Sequence, residues 1–251
     1  MVRNSSSKMH QIAFNSDVGE GVGNDHLIMP YISWCNIACG AHAGDEKIIE
    51  QTIALAKKHR VKIGAHPSYP DRENFGRLSM NMSFDNLVNT ISEQILLVKQ
   101  KVESTGELLH HVKPHGALYN DAVKNPEVAN AILHSLKNVA ISSMLIAPFE
   151  SEISYVCKEE LDLKYETFAD RNYNADLSLV SRKKKNAVLQ NEEEIFFHVK
   201  KMIFEKKIKT ISGEEFAVLC DTICVHGDHP NSPKIIEFLH REFSRLNVSF
   251  L

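Results

Sequence analysis

The chain lacks the features that mark secreted, membrane-spanning and disulfide-bonded proteins. Its five cysteines are an odd number and form no CxxC pair, which argues against a disulfide framework and against a structural zinc site. No apolar run approaches the length of a membrane span. Residues 1–10 are polar and rich in serine, without the apolar stretch of a secretory signal. We therefore expect a cytoplasmic protein without a membrane partner, with residues 1–10 as a disordered extension.

An excess of charge of one sign and a nucleotide-binding loop are also missing. The formal net charge is -3, and the one dense basic run, Arg182 to Lys185, suits a solvated loop. Nucleic acid is therefore not an expected partner. The Gly-Lys-Ser/Thr of a Walker loop is absent, so the glycines of this chain give no support for a phosphate-binding loop. No linker rich in proline, glycine and serine divides the 251 residues, which indicates one domain over residues 1–251.

What the sequence does contain is a regular alternation of apolar, β-prone runs with segments of helical periodicity. Runs typical of strands lie at residues 11–14, 31–38, 61–65, 108–112, 143–147, 165–168 and 222–225. Consecutive strands joined by a helix pair in parallel, because the helix carries the chain back to the end at which the first strand began. The fold class we predict is α/β, a distorted or incomplete TIM-like (β/α) barrel of about seven parallel strands. An open doubly wound sheet is the second choice.

Three local patterns predict particular elements. The apolar stripe from Phe84 to Val102 predicts a helix with Ser83 as its N-cap. Residues 208–219 predict a β-hairpin before the last strand. A final helix should begin with Ser232 as its cap. The stripe that this helix should bury consists of Ile236, Leu239, Phe243 and Leu246.

Six short segments join the strand ends to acids, histidines, cations and glycines. They read Asn15-Ser-Asp17-Val-Gly-Glu20-Gly, Cys39-Gly-Ala-His42-Ala-Gly-Asp45, Gly64-Ala-His66-Pro-Ser-Tyr-Pro-Asp71, Lys113-Pro-His115-Gly-Ala-Leu-Tyr119-Asn120, Phe168-Ala-Asp170-Arg171 and Val225-His226-Gly-Asp228. Half-burying ionisable groups costs free energy. Six segments that each place such groups at a strand end therefore indicate one site that uses them. The carboxyl ends of parallel strands meet on one face, where these segments should build a single cavity. We therefore interpret the chain as an enzyme.

The first three segments suit either proton transfer or metal binding. His42 and His66 each end a Gly-Ala-His step, one after the second strand and one after the third. Together with Asp17, two neutral imidazoles can ligate a divalent metal, or the same groups can act as acid and base. Both interpretations stay open on the sequence alone. Cys39 is flanked by small residues and is interpreted as a packed thiol rather than a nucleophile.

Lys113 is the most specific feature by residue type. A lysine at a strand end can place its ammonium in the barrel mouth, to neutralise a carboxylate, a phosphoryl group or a developing oxyanion. The alternative is a lysine that only pairs with an acid of the barrel. Methionine at this position keeps most of the side-chain volume, so we expect Lys113→Met to remove activity and spare the fold.

The last two segments add an arginine and another histidine. The guanidinium of Arg171 can recognise a carboxylate or a phosphate through two parallel hydrogen bonds. Asp228 can orient His226 or receive a proton. A buried structural ion pair is the competing interpretation of Asp170 and Arg171.

Taken together, the six segments resemble the LamB/YcsF family over nearly the whole chain, from Asn15 to about Asp228, and occur in family order. The resemblance implies a barrel similar to those of glycoside hydrolases and metal-dependent polysaccharide deacetylases. It also implies ATP-dependent 5-oxoprolinase activity, the hydrolysis of the lactam of 5-oxo-L-proline to L-glutamate. ATP with Mg²⁺ would be the cofactor, and two further subunits, B and C, would be the partners.

The resemblance also divides the candidate site residues by role. Catalytic roles are expected for Asp17, His42, His66, Lys113, His115, Asp170, His226 and Asp228. Binding of substrate or phosphate is expected for Asn15, Glu20, Arg77, Tyr119 and Arg171. A tightly bound transition metal, if one is used, would have the ligands Asp17, His42 and His66. The chain departs from the usual family pattern at Ser16, Ser68 and Leu78, and none of these changes removes an acid, a base or a cation.

Two other classes of function stay open. The first is a metal-dependent polysaccharide deacetylase or glycan hydrolase of carbohydrate metabolism, with the metal on Asp17, His42 and His66. The second is a non-catalytic subunit that binds a carboxylate or a sugar. Loss of activity with a chelator discriminates the first class, and turnover by an assembled complex discriminates the second.

Overall fold

A computed structural model describes residues 10–251 of the chain and contains all seven predicted strands. The strands are β1 (His10–Val18), β2 (Trp34–Ala38), β3 (Lys62–His66), β4 (His111–Val112), β5 (Met144–Pro148), β6 (Leu163–Phe168), β7 (Lys207–Lys209), β8 (Glu215–Ala217), β9 (Thr222–Cys224) and β10 (Val248–Phe250). The disorder expected for residues 1–10 falls outside the described residues except at His10. That residue begins β1, so the expectation was wrong there.

Seven of these strands close into a parallel barrel. β1 pairs with β2 along one edge and with β9 along the other, and the ring runs β1-β2-β3-β4-β5-β6-β9. Because both edges of β1 are paired, the barrel prediction is confirmed and the open doubly wound sheet is excluded. The barrel is irregular, since β4 has only 2 residues.

Helices surround this barrel and fill the connections between its strands. Within residues 10–251 they are α1 (Asp25–Ile28), α2 (Glu46–His59), α3 (Phe84–Glu103), α4 (Gly116–Ala122), α5 (Pro126–Val139), α6 (Glu152–Cys157), α7 (Glu192–Lys200) and α8 (Ser232–Arg245). The predicted helix is α3, and Ser83 caps it by accepting a hydrogen bond from the Asn86 N–H. The predicted hairpin is the antiparallel pair β7–β8.

The structure differs from the sequence-based expectation at several element ends. β1 continues to Val18, so the segment from Asn15 to Asp17 lies inside the strand rather than after it. The cap of α8 is Asn231, and Ser232 is the first residue of that helix. Leu246 is 39% exposed because it is the C-cap of α8, where the buried stripe has already ended. β10, which no pattern predicted, pairs with the first residues of β1.

The barrel interior is apolar at one end and polar at the other. Along β1, the side chains of Ala13, Asn15 and Asp17 lie on the same side of the strand, because every second residue of a strand faces the same way. Ala13 packs with Trp34 and Ile146 in a small buried apolar cluster. Asn15 and Asp17 follow Ala13 along the strand, toward the carboxyl end of β1. The barrel interior therefore leads directly to the face on which the six segments meet.

Candidate active site

A cavity of about 580 Å³ opens at the carboxyl ends of the barrel strands. Ten of the thirteen side chains singled out from the sequence line it, namely Asp17, Glu20, His66, Arg77, Lys113, His115, Tyr119, Arg171, His226 and Asp228. Residues that are far apart in the chain therefore share one chamber.

The other three predicted side chains lie behind or beneath this lining. His42 stacks face to face on His115, with the ring centroids 3.8 Å apart. Asp170 lies behind His226 and accepts a hydrogen bond from its ring. Asn15 is fully buried one layer deeper in the barrel. These three residues reach the cavity only through a neighbouring side chain.

Lys113 and Asp17 form the floor of the cavity. Lys113 Nζ lies 3.1 Å from each of Asp17 Oδ1, Glu166 Oε1 and Cys224 Sγ. Burial acts to lower the pKa of Lys113, but Asp17, Cys224 and Glu166 outweigh it and hold that pKa well above its usual range. Burial acts to raise the pKa of Asp17, but the charges of His66 and Lys113 hold it well below its usual range. At neutral pH the floor is thus an ammonium beside a carboxylate.

Glu166 is a buried carboxylate that the sequence reasoning missed. It lies inside β6 and is 3% exposed. Its Oε1 accepts a hydrogen bond from Asn15 Nδ2 at 2.8 Å, and its Oε2 accepts one from Tyr119 Oη at 3.2 Å. The signal in the sequence was an acid two residues before Phe168, at an inward position of an apolar strand. Such an acid requires a buried cation, which is Lys113.

Asp170 and His226 form a hydrogen-bonded pair beside the floor. His226 Nδ1 lies 2.9 Å from Asp170 Oδ1, and the imidazole stacks on Phe168 with ring centroids 5.0 Å apart. Burial acts to raise the pKa of Asp170, but His226 outweighs it and holds the pKa at about 2. Because the Nδ1 proton is committed to this carboxylate, Nε2 of His226 is the nitrogen that can accept a proton in the cavity.

Asp228 has different partners from those suggested by the sequence. It was expected to orient His226, but its carboxylate pairs with Arg77 and lies 3.4 Å from Arg182 Nη2. These side chains are half-buried or exposed at the cavity rim. The rim therefore carries two cations and one acid, an excess of positive charge suited to an anionic ligand.

Arg171 bonds to backbone carbonyls rather than to Asp170, so the competing interpretation of a buried ion pair between these two residues does not hold. Its Nη2 donates to the Val180 carbonyl at 2.6 Å, and its Nε donates to the Ala187 carbonyl at 3.3 Å. The carboxylate of Asp170 accepts a hydrogen bond from His226 instead. Arg171 thus anchors the loop between β6 and α7, which forms one wall of the cavity.

Glu20 and three histidines form a second group at the cavity wall. Glu20 Oε1 lies 3.3 Å from His42 Nε2 and 3.5 Å from His115 Nδ1, and His115 Nδ1 lies 3.0 Å from His66 Nε2. Burial lowers the pKa of His42 to about 3 and that of His115 well below its usual range. Burial raises the pKa of Glu20 well above its usual range, and the charge of Asp17 adds to this. His42 and His66 are thus grouped with Glu20 and His115, unlike the predicted metal set of Asp17, His42 and His66.

Several polar residues of the six segments have structural duties. Asp45 caps α2 by accepting a hydrogen bond from the Ile48 N–H at 2.9 Å. Burial raises the pKa of the Cys39 thiol to about 12, which argues against a thiolate nucleophile. His111, just before Lys113, points into the barrel and bonds through Nε2 to Asn36 Oδ1 at 2.8 Å.

The Asp170–His226 pair is expected to make stability depend on pH. The folded-state pKa of Asp170, about 2, lies below the usual value for an aspartate. The unfolded chain therefore binds more protons, and the pair contributes stability above about pH 4 that is lost as pH falls towards 2. For such a pair of pKa values the contribution at neutral pH is about 2–3 kcal/mol.

Urea unfolding of the wild type and of Asp170→Asn between pH 3 and 7 tests this expectation. The difference in unfolding free energy should be largest near neutrality and should shrink toward pH 3. Asp162→Asn, the same change at an exposed site, should show no such trend. A difference between wild type and Asp170→Asn that stays constant with pH would contradict the assignment.

A closed parallel barrel with an ammonium, buried carboxylates and histidines at the mouth of its strands defines an enzyme-type α/β barrel protein. The chain belongs to the LamB/YcsF family, whose model matches residues 12–250. Curated relatives from Bacillus cereus (strain 03BB102) and Bacillus anthracis (strain CDC 684 / NRRL 3495) are named as the A subunit of 5-oxoprolinase. They are 40% and 39% identical over 248 residues, which is 96% of this chain and 98% of theirs.

A solved structure is similar in fold and in sequence. The lactam utilization protein from Thermus thermophilus has a TM-score of 0.90 and 31% sequence identity, covering 96% of this chain and 98% of that one. The family predicted from the six segments is thereby confirmed. Within residues 10–251, no helix is both long and apolar enough to cross a membrane.

Proposed function

We infer that this chain is a subunit of an ATP-dependent 5-oxoprolinase, which opens the lactam of 5-oxo-L-proline to give L-glutamate. The names carried by relatives at 40% and 39% identity support this function over the deacetylase, glycan hydrolase and binding-only alternatives. The observation that carries the inference within the structure is the cavity floor. There an ammonium and a carboxylate lie 3.1 Å apart, between Lys113 Nζ and Asp17 Oδ1, and both side chains line the chamber.

The chemistry of the lactam matches these residue types. Resonance makes an amide carbonyl a poor electrophile, and a phosphoryl group transferred from ATP to the carbonyl oxygen would activate it. Water then adds to the carbonyl carbon, the ring C–N bond breaks and the nitrogen gains a proton. A second water releases the phosphate and leaves the carboxylate of glutamate. These steps need a cation near the carbonyl oxygen, a group that orients water and a group that moves protons.

We assign these three needs to side chains at the cavity floor. The ammonium of Lys113 stabilises the negative charge of the phosphoryl group that the carbonyl oxygen carries. The carboxylate of Asp17 orients the attacking water. His226 accepts a proton from water at Nε2 and returns it to the ring nitrogen, with Asp170 holding the imidazole in the required tautomer. The cationic rim of Arg77 and Arg182 accepts the carboxylate of 5-oxoproline.

We assign the binding of ATP with Mg²⁺ to the partner subunits rather than to this cavity. Most of the cations that line it already have a partner or an assigned role, since Arg171 donates to two backbone carbonyls and the rim arginines are assigned to the carboxylate of 5-oxoproline. Lys113 is likewise engaged by two carboxylates. This leaves little cationic surface for a triphosphate. The activity therefore belongs to a complex with two further subunits, located in the cytoplasm, where the five free cysteines would stay reduced.

Co-expression with genomically neighbouring partner proteins tests the function. The purified complex should convert 5-oxoproline to glutamate and consume ATP, while the chain alone should be inactive or nearly so. Robust ATP-coupled turnover by the isolated chain would contradict the division of labour. A complex that leaves 5-oxoproline intact but removes acetyl groups from glycans would replace the proposed function with the deacetylase alternative.

A further inference from the structure

Four ligand-type atoms of the cavity wall point at one another. They are Glu20 Oε1, His42 Nε2, His66 Nε2 and His115 Nδ1, and they lie within 4.8 Å of one another. We call these four side chains the histidine cluster. None of the roles assigned to the cavity floor uses His42, His115 or Glu20, so the cluster needs an account of its own.

The outward nitrogens of two of these rings are fixed by backbone carbonyls. His66 Nδ1 lies 2.7 Å from the Lys113 carbonyl oxygen, and His115 Nε2 lies 2.9 Å from the Phe75 carbonyl oxygen. A carbonyl oxygen only accepts hydrogen bonds, so both outward nitrogens must carry a proton. The neutral forms of both rings therefore present a bare nitrogen to the centre of the cluster.

The third ring is fixed in the same sense by a serine. His42 Nδ1 lies 3.0 Å from Ser68 Oγ, and Ser68 donates its own hydroxyl proton to the Tyr69 carbonyl at 2.8 Å. Ser68 can then only accept from His42, so His42 Nδ1 carries the proton and Nε2 is bare. Three histidines each held by an acceptor on the outer nitrogen form the arrangement that orients metal-ligating imidazoles.

The spacing of the inner atoms fits a small divalent cation. A tetrahedral zinc ion with bonds of about 2.0–2.1 Å requires its ligand atoms to be about 3.3–3.4 Å apart. Three of the six separations are 3.0 Å from His66 to His115, 3.3 Å from His42 to Glu20 and 3.5 Å from His115 to Glu20, and the other three are at most 4.8 Å. Because the rings of His42 and His115 stack within 4° of parallel, one of the two rings must turn before both nitrogens can face a single ion.

We propose that the histidine cluster is a binding site for a divalent transition metal such as zinc, with the ligands Glu20, His42, His66 and His115. The proposal goes beyond the proposed function, because it rests on the ligand geometry and not on the substrate. Glu20, His66 and His115 line the cavity, which gives the ion a path of entry. A metal here lies next to the cavity floor, since Asp17 Oδ2 is 3.4 Å from His66 Nε2.

A second group of ligand-type atoms is a weaker candidate. Asp17, Cys224 and His226 also come within 4.8 Å of one another. The ammonium of Lys113 already lies 3.1 Å from both Asp17 Oδ1 and Cys224 Sγ. The charge of Lys113 therefore already occupies the place that a metal would take in this second group. A metal in the second group would be lost in a His226 variant, whereas a metal in the histidine cluster would be lost in a His115 variant.

Cobalt titration of the untagged, chelator-stripped chain tests the proposal directly. Wild type should bind one Co²⁺ per chain, with the visible absorption bands of a four- or five-coordinate ion. His115→Ala should weaken binding at least 100-fold. Ser68→Ala, which removes only the acceptor that holds His42, should weaken it about 10- to 100-fold. Ser135→Ala is the matched control, because Ser135 is an equally buried serine that bonds to backbone carbonyls elsewhere.

Two further variants keep the test decisive. His134→Ala removes an exposed histidine of α5 and should leave Co²⁺ binding unchanged, as should His226→Ala. Glu20→Gln preserves side-chain shape and removes the anionic ligand, so it replaces His115→Ala if that variant does not fold by circular dichroism. The proposal is overturned if wild type shows no saturable Co²⁺ or Zn²⁺ binding, or if His115→Ala or Glu20→Gln binds the ion as tightly as wild type. These readouts need no turnover, so a failed 5-oxoprolinase assay leaves the metal site standing.

Discussion

Replacing Lys113 by methionine is expected to lower both stability and activity, and this is the largest stability effect we expect from a single change in the cavity. The sequence alone predicted that this variant would spare the fold. The structure changes that expectation, because Lys113 Nζ lies 3.1 Å from the carboxylates of both Asp17 and Glu166. Removing the ammonium leaves buried negative charge without its partner, which costs about 3–5 kcal/mol. Urea unfolding of the purified variant measures this loss.

A double variant separates the structural role of Lys113 from the catalytic role that we propose for it. Glu166→Gln removes one stranded charge, keeps an oxygen that can accept from Asn15 Nδ2, and places an amide NH₂ where the Tyr119 hydroxyl can accept. Lys113→Met combined with Glu166→Gln should therefore recover much of the lost unfolding free energy. Turnover by the complex should stay low, by about 2.7–4 kcal/mol in the barrier, the typical cost of removing one electrostatic stabiliser.

Lys99→Met provides the matched control for the same substitution. Lys99 is partly buried on α3, where Nζ donates to the Val139 carbonyl and lies 3.8 Å from Glu103. It should change the unfolding free energy by about 1 kcal/mol or less. Recovery of near-normal turnover in the Lys113→Met, Glu166→Gln double variant would show that the lysine is only a structural counter-ion.

Replacing Asp17 by asparagine is expected to have the largest effect on rate with little loss of structure. Asparagine keeps an oxygen that can accept hydrogen bonds from Asn36 Nδ2 and Lys113 Nζ. Lys113 also retains Glu166 as its counter-ion. The variant loses the negative charge that faces the cavity, so turnover should fall about 10²- to 10⁴-fold, the usual contribution of a group that positions or moves protons.

Steady-state kinetics of the complex with Asp17→Asn measure this effect. The loss should appear in kcat more than in KM, because the role proposed for the carboxylate is to orient the water rather than to bind the ring. Asp221→Asn is a control at the opposite end of the barrel, where Asp221 precedes β9 and bonds to the Tyr165 N–H. Turnover of Asp17→Asn within threefold of wild type would remove Asp17 from the mechanism.

Much of the fold follows from local patterns. The seven barrel strands were located from apolar runs, because strands buried on both faces are continuously hydrophobic. The caps and stripes of helices depend on neighbours three or four residues away, which explains why Ser83 was assigned correctly. β10 was missed because its three residues are stabilised by pairing with β1 at the other end of the chain. Leu246 was placed on the buried stripe because periodicity does not show where a helix stops.

The candidate site was predicted in its membership but not in its pairings. The order of the six segments and the family resemblance together were enough to select ten residues that share one cavity. They did not show that Asp170 rather than Asp228 orients His226, since both acids lie beside the same loops. They also did not find Glu166 or the role of Ser68.

The sequence by itself determined the barrel class, the family and the set of ionisable residues at the strand ends, because these depend on residue type, periodicity and order along the chain. Only the tertiary structure decided which charges neutralise each other, how the ring closes, and that His42 and His66 group with Glu20 and His115. The physical reason is that Coulomb and hydrogen-bond energies depend on separations of about 3 Å. Those separations are set by strand register and barrel closure, which join residues far apart in the chain, as Ser16 Oγ bonding to the Val225 carbonyl 209 positions away illustrates.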